Sequence, residues 1–102
     1  MQAVTLESFE AFVARGTVVL DCSAAWCGPC KVFAPVFHAA AQKRTSFVFG
    51  TVDTDAEPAL AARLDIRAQP TVVVLRDGHI IYKQVGAMSA AKFDALLDRF
   101  AA

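Results

Sequence analysis

The sequence predicts an α/β fold with a central mixed β-sheet flanked by helices on both faces. Apolar, β-branched runs alternate with helical patterns along the first half of the chain, which is typical of parallel strands joined by a helix. Two more such runs flank Asp77 and Gly78, a dipeptide typical of a tight antiparallel hairpin. Because 102 residues is the length of one ordinary domain, we assign residues 1–102 to a single domain.

The first predicted elements are a small strand near Val4 and a short amphipathic helix with apolar positions at Phe9, Phe12 and Val13. The apolar run 18–22 then predicts a strand that is covered on both faces. Such a strand belongs in the middle of the sheet, where helices pack on either side.

The next helix begins within the motif formed by residues 27–30. Pro29 suits the first turn of a helix, and Pro35 inside the same pattern predicts a kink. Residues 46–52 predict a second buried strand. This strand and the one before the motif are expected to run parallel, as in a strand–helix–strand unit.

The second half of the chain predicts a short helix, a hairpin and a terminal helix. The spacing of Thr54 and Glu57 is typical of a capping box that opens the short helix. The hairpin strands cover 71–75 and 80–85. Ser89 precedes the last helix, whose apolar core-facing stripe is Phe93, Leu96, Leu97 and Phe100.

Charge and composition argue against several classes of function. Ten Lys and Arg residues balance ten Asp and Glu residues without a basic stripe, so we expect no nucleic-acid partner. No apolar run approaches the roughly 18 residues that span a bilayer, so we expect no membrane association. The first residues lack the features of a secretory signal, and three cysteines do not form the even set of a disulfide-stapled domain. We therefore expect a cytoplasmic protein whose cysteines serve chemistry.

Cys27 and Cys30 carry the predicted chemistry, because at this spacing on a helix they share one face and can close a disulfide. Backbone N–H groups and the helix dipole stabilise a thiolate at Cys27, so we expect this residue to be the exposed nucleophile with a lowered pKa. Cys30 lies further into the helix, and we expect it to be the more buried, resolving thiol. Gly28 is expected to free the backbone and leave room for a partner, while Pro29 stiffens the ring, so both tune its redox behaviour.

Metal binding is the main alternative use of these cysteines. A zinc site needs four ligands, and neither a second cysteine pair nor a paired histidine motif follows. Cys22, Cys27 and Cys30 match the first three ligands of the plant-type iron–sulfur spacing, but His38 or His79 would have to replace the missing fourth cysteine. Cys22 is better explained as a small buried apolar residue. We therefore expect no metal, no bound cofactor and no role for either histidine.

Asp21 is a carboxylate inside the predicted buried strand. Burial without a partner disfavours its charged form, so we expect its pKa to be raised. Because it lies just upstream of the motif, it can exchange a proton with Cys30, directly or through water. The alternative is a structural carboxylate that is hydrogen-bonded to the backbone.

The motif and its surroundings resemble the thioredoxin family. The stretch from Asp21 to Lys31, which is DCSAAWCGPCK, closely resembles the active-site stretch of thioredoxins. The likeness covers nearly the whole chain, with matches in order and spacing at Pro35, residues 52–53, residues 66–71, the Asp77–Gly78 turn and residues 85–87. It implies the thioredoxin fold and the reduction of protein disulfides by dithiol–disulfide exchange. The Gly-Pro dipeptide is typical of the reducing members.

The resemblance also implies partners and a docking surface. Pro70 would be cis and would pack against the cysteine loop, and backbone groups beside it would pair with an extended substrate. Disulfide-containing proteins would be the substrates of a monomeric chain. A thioredoxin reductase, with its own FAD and NADPH, would reduce the Cys27–Cys30 disulfide. The implied substrate-binding residues are Trp26, Gln69, Pro70, Gly86 and Ala87.

Two departures from the family pattern bear on the mechanism. Phe49 stands where many thioredoxins have a lysine near the buried aspartate, which makes Asp21 harder to ionise. Gln69 replaces the usual apolar residue or threonine before the cis proline, which leaves the substrate range open. The alternative functions are a non-catalytic binding subunit and an oxidant or isomerase. The Gly-Pro dipeptide and the missing secretory signal favour the reductant.

Overall fold

The computed structural model describes residues 1–101 of the chain. Its strands are β1 (Gln2–Ala3), β2 (Thr17–Ser23), β3 (Val48–Asp53), β4 (Thr71–Arg76) and β5 (His79–Val85). Its helices are α1 (Phe9–Val13), α2 (Gly28–Lys43), α3 (Pro58–Arg63) and α4 (Ala90–Asp98). No helix in the described part of the chain is long and apolar enough to cross a membrane.

The strands form one mixed sheet in the order β1-β3-β2-β4-β5. β3 runs parallel to both β1 and β2, whereas β4 is antiparallel to β2 and β5. The predicted mixed sheet is therefore confirmed, with β2 at its centre. In this register Asp21 lies between Thr51 of β3 and Val72 of β4.

Two apolar cores cover the two faces of the sheet, and successive residues of β2 alternate between them. Leu20 and Cys22 belong to the core beneath α1 and α3, whereas Val19 belongs to the core beneath α2 and α4. By the same alternation Asp21 shares the α2 face with Val19. Cys22 and Asp21 are thus neighbours in sequence on opposite faces.

Aromatic side chains fix α2 on its face of the sheet. Phe33 and Phe37 are fully buried, and the ring of Phe93 from α4 lies 5.2 Å from the first and 5.7 Å from the second. The ring of Phe49 on β3 lies 5.5 Å from Phe37. Such contacts are worth about 0.5–1.5 kcal/mol each beyond the area they bury. α2 runs through Pro35, and the kink expected there stays a prediction.

The hairpin turn has the predicted conformation, because Asp77 and Gly78 both have positive φ, at 54° and 82°. α4 also starts as predicted, with the Ser89 hydroxyl accepting a hydrogen bond from the Lys92 N–H. It ends at Asp98, so Phe100 packs against the core from beyond the helix.

The predicted capping box at Thr54 and Glu57 is wrong. α3 begins at Pro58, and the Glu57 carboxylate instead accepts a hydrogen bond from the Leu6 N–H, which ties down the N-terminal segment. The turn before α3 is closed by Asp53, whose Oδ1 accepts from the N–H groups of Asp55 and Ala56. Tertiary partners have taken both side chains of the expected box.

Candidate active site

The two motif cysteines lie at the N-terminal end of α2. They are joined by a disulfide, with their Cα atoms 5.3 Å apart. Cys27 is the N-cap residue, and the backbone N–H of Cys30 donates to its Sγ over 3.2 Å. The sulfur of Cys27 therefore occupies the position where an N-capping oxygen accepts, beside the positive end of the helix dipole.

The expected difference in burial between the two cysteines is wrong at the level of whole residues. Cys27 and Cys30 are each 4% exposed, and both pack against Ala24. A second loop contributes to the cover, because Cys27 Sγ lies 3.5 Å from the carbonyl oxygen of Gln69. Burial does not distinguish an attacking from a resolving sulfur in this oxidised form, so helix position must do so.

Gly28 and Pro29 form the exposed bridge between the cysteines. Gly28 does not have a positive φ, so its conformation does not by itself demand glycine, and its effect on the redox behaviour of the ring stays a prediction. A Cβ built at Gly28 would meet nothing within 4 Å. This open space fits the expectation of room for a partner. Pro29 lies in the first turn of α2, where its missing N–H leaves no helical bond unmade.

The loop before β4 approaches the cysteines from the side. Its Gln69–Pro70 peptide bond is cis, as the resemblance implies. The carbonyl oxygen of Pro70 accepts from the N–H of Gly86 over 2.8 Å, and the Thr71 hydroxyl donates to the carbonyl oxygen of Ala68 over 2.6 Å. These bonds hold Gln69, the buried Pro70 and the half-buried Gly86 together, with Gln69 next to Cys27.

Trp26 directly precedes Cys27 and is exposed. Its side chain is 66% exposed, and its indole Nε1 donates to Asp55 Oδ2 over 2.8 Å. Val85, at 60% exposure, and the exposed Ala87 continue an apolar surface beside Gly86. The five predicted substrate-binding residues lie on three loops: those of Trp26 and Gln69 adjoin Cys27, and that of Gly86 and Ala87 is bonded to Pro70. Their role in binding stays a prediction.

Asp21 is buried, with only 3% of its surface exposed. Burial raises its pKa from 3.8 to about 6. Oδ1 has no hydrogen-bond partner within residues 1–101, which disfavours the alternative of a structural carboxylate bonded to the backbone at this atom. Phe49, two positions before Thr51 on β3, supplies an aromatic ring on this face, and no cation contributes to the pKa shift.

The sequence profile of the thioredoxin family matches residues 1–99. The chain belongs to the thioredoxin family. Dithiol–disulfide exchange is the chemistry of this family, and Cys27 and Cys30 are the pair that carries it here. The protein is thus a thiol–disulfide oxidoreductase with the thioredoxin fold.

Relatives and solved structures agree with this family assignment. A Streptomyces coelicolor relative is 42% identical over 89 residues, which cover 86% of this chain and 66% of that protein. Chlamydia caviae thioredoxin is 35% identical over 86 residues, with 84% of each chain covered. The structure of Plasmodium falciparum thioredoxin matches with a TM-score of 0.92 and 28% identity, covering 99% of this chain and 100% of that one. The chain thus spans about two thirds of the Streptomyces protein.

Cys22 is separate from the thioredoxin motif. Its side chain is fully buried in the core beneath α1 and α3. Burial, with a further contribution from the Asp21 carboxylate, raises its pKa to about 12. The iron–sulfur alternative is therefore wrong, because Cys22 lies on the face of the sheet away from α2. Residues 1–101 hold no group of three or more His, Cys, Asp or Glu side chains that can bind a metal ion.

Sequence reasoning missed Asp55 and gave Thr54 the wrong role. Asp55 bonds Trp26 from 29 positions away, and Thr54 contacts Ser23 and Gln69. No sequence signal marks these contacts, because each joins residues that are far apart in the sequence.

Proposed function

We propose that this protein reduces disulfides in other proteins, with Cys27 as the attacking thiolate and Cys30 as the resolving thiol. The observation that carries the proposal is the N–H of Cys30 donating to Cys27 Sγ at the first turn of α2. A hydrogen bond to the charged form and the helix dipole both stabilise a thiolate at Cys27. Cys30 lies inside the first turn, where its own backbone N–H is the donor of this bond.

The reaction proceeds in two exchanges. The thiolate of Cys27 attacks one sulfur of the substrate disulfide, forms a mixed disulfide and releases the other substrate sulfur as a thiolate. Cys30 then attacks Cys27 Sγ, which forms the Cys27–Cys30 disulfide and releases the second substrate thiol. Two electrons pass to the substrate, and the two cysteine protons are available to its thiolates.

Asp21 serves as the proton acceptor for Cys30 in this proposal. It lies on the α2 face of the sheet, and its pKa of about 6 is raised toward the range in which a carboxyl exchanges protons near neutrality. Because Oδ1 has no partner in the described part of the chain, the carboxyl is free to bond a thiol or a water.

An extended segment of the substrate docks beside the cis proline. The backbone N–H of Gln69 has no hydrogen-bond partner within residues 1–101, and its carbonyl oxygen faces Cys27. A free N–H and a carbonyl at a strand end can pair with an added strand. Main-chain pairing at Gln69 supplies affinity, and the exposed side chains of Trp26 and Ala87 supply apolar contact, while the bond between Gly86 and Pro70 holds the loop backbone.

The direction of electron flow follows from the bridge residues. Gly28 and Pro29 match the bridge of the reducing members of the fold, which differ from the most oxidising members by about 150 mV, or roughly 7 kcal/mol for two electrons. We propose a thioredoxin reductase, carrying FAD and NADPH, as the source of electrons. We propose that the protein is a single-domain monomer in the cytoplasm, where a reducing environment returns the Cys27–Cys30 disulfide to the dithiol.

Trapping of mixed disulfides tests the proposal. In a Cys22→Ala background, which removes the third thiol, Cys30→Ser should accumulate disulfide-linked adducts with protein substrates. Dithiothreitol should reduce these adducts and release the substrates. The matched Cys27→Ser variant should trap almost none. Equal trapping by both variants, or trapping through Cys30 alone, would contradict Cys27 as the nucleophile. A non-catalytic binding subunit would trap nothing and would keep its partner when both cysteines are serine.

A further inference from the structure

Thr54 is a buried polar residue that the dithiol chemistry does not use. It follows β3 directly and is 8% exposed. Its backbone N–H donates to the carbonyl oxygen of Ser23 over 2.9 Å, and its hydroxyl Oγ1 lies 3.3 Å from the same oxygen. The end of β3 is thereby tied to the end of β2.

The hydrogen bonds through Thr54 run in one direction. Gln69 Nε2 lies 3.3 Å from Thr54 Oγ1. A carbonyl oxygen only accepts, so the single hydroxyl proton of Thr54 goes to Ser23, and Oγ1 must accept from the amide of Gln69. The order of donation is therefore Gln69 to Thr54 to Ser23, and it requires a hydroxyl at position 54 and an amide at position 69.

This path joins the two loops that form the active site. Ser23 ends β2 and leads into the loop that carries Cys27, whereas Gln69 is the first residue of the cis peptide bond. Across the gap between these loops, Cys27 Sγ and the Gln69 carbonyl oxygen are 3.5 Å apart. Thr54 is hydrogen-bonded to Ser23 and to Gln69, and it forms no hydrogen bond with either sulfur.

We infer that Thr54 is a positioning residue, which fixes the docking backbone of Gln69 relative to Cys27 through the hydrogen bonds from Gln69 to Ser23. The inference rests on the proposed function, since a fixed Gln69 backbone matters for substrates that pair with it. Protein substrates need this backbone in register with the attacking sulfur, whereas a small aromatic disulfide needs only the sulfur. Loss of the hydroxyl is therefore expected to raise KM for protein substrates.

The substitution Thr54→Val removes the hydroxyl at nearly constant volume, and Thr54→Ser is the matched control that keeps it. With insulin as the protein disulfide substrate, we expect Thr54→Val to raise KM about threefold to tenfold and to change kcat less than about twofold. Reduction of a small aromatic disulfide should change less than about twofold. Thr54→Ser should restore the insulin KM. A KM that stays at the wild-type value in Thr54→Val, or equal losses on both substrates, would overturn the inference.

A structural readout keeps the inference separate from the proposed function. The N–H of Gly86 donates to Pro70, so its hydrogen exchange reports on the cis-proline loop whether or not insulin is reduced. We expect Thr54→Val to speed exchange at Gly86 about threefold to tenfold, with Val73 at the centre of β4 unchanged. Unchanged exchange at Gly86 would overturn the positioning role. A wild-type protein that leaves insulin disulfides intact would instead overturn the reductase proposal.

Discussion

Two cysteine environments lie within a few residues of each other in this chain. Cys22 is in the middle of the sheet, faces the core beneath α1 and α3, and has a pKa raised to about 12. Cys27 caps α2 and accepts the Cys30 N–H. The raised pKa keeps the Cys22 thiol protonated at neutral pH. The same side chain is therefore an inert packing group at one position and half of a redox pair at the other.

The two sites do not differ simply in burial, since Cys22 is fully buried and Cys27 is 4% exposed. They differ in what the backbone offers the sulfur. The central strand has all its N–H groups directed toward neighbouring strands, whereas the first turn of a helix leaves N–H groups that a side chain can accept from. The N-terminal end of a helix stabilises a reactive thiolate, whereas the middle of a sheet offers a thiol no such donor.

Removing the sulfur of Cys27 and that of Cys22 in separate variants tests the difference between the two sites most strongly. Cys27→Ser should lower the rate of insulin reduction by more than about a thousandfold, because the attacking atom is lost. Cys22→Ala should leave that rate within about twofold and lower the free energy of unfolding by about 1 kcal/mol through the small cavity it leaves. Initial rates and urea denaturation check both. Loss of activity in Cys22→Ala at full stability would contradict the assignment.

Burial of Asp21 on the α2 face of the sheet makes the free energy of unfolding depend on pH. Its folded pKa of about 6 exceeds the ordinary 3.8, so its contribution to stability is fully present below about pH 3.8 and is lost as the pH rises through about 6. Asp21→Asn removes this loss. We therefore expect the variant to be more stable than wild type by about 3 kcal/mol at pH 8, with no gain from this cause at pH 3.5. Urea denaturation at the two pH values measures the difference, and an equal gain at both would contradict it.

The proton-transfer role of Asp21 has a separate readout. In Asp21→Asn, release of substrate from the mixed disulfide should slow, and its rate should lose the dependence on a group that titrates near pH 6. An unchanged pH profile for this step would remove Asp21 from the mechanism while leaving the stability effect in place.

Gly50 tests the packing of the core that contains Cys22, on the face of the sheet opposite α2. A Cβ at Gly50 would lie 2.8 Å from a ring carbon of Phe12 and 2.9 Å from a methyl carbon of Val4, both in the core that contains Cys22. Gly50→Ala should therefore cost about 2 kcal/mol of stability by overpacking, with insulin reduction by the folded protein within about twofold of wild type. Ala substitution at Gly28, where a Cβ meets nothing, is the matched control for stability. Equal stability of the two variants would contradict the packing account.

Much of the fold follows from the pattern of the sequence. The β-branched runs, the positive-φ pair Asp77–Gly78 and the Ser89 cap are local signals, and local physics decides them. Thr54 shows where this reasoning ends. Its spacing to Glu57 is a good local signal for a cap, but its hydroxyl instead donates to Ser23 and accepts from Gln69, which are both distant in the sequence.

The active site shows the same difference between features that local sequence decides and features that distant residues decide. The spacing of Cys27 and Cys30 predicted their pairing, because three residues at a helix start fix the geometry. The sequence did not predict the burial of Cys27, since the cover comes from Ala24 and the Gln69 loop. The backbone angle at Gly28, which is not positive, also could not be predicted, because φ is visible only in the folded backbone.

The reduction potential of the Cys27–Cys30 pair tests the reductant assignment most directly. Equilibration with a series of thiol buffers, followed by acid quenching and mass counting of alkylated thiols, gives the value, with Cys22→Ala as the background that removes the third thiol. The characteristic potential of thioredoxins is about −270 mV, and we expect this pair to lie close to it. A potential above about −180 mV, in the range of isomerases and oxidants, would contradict a reductant.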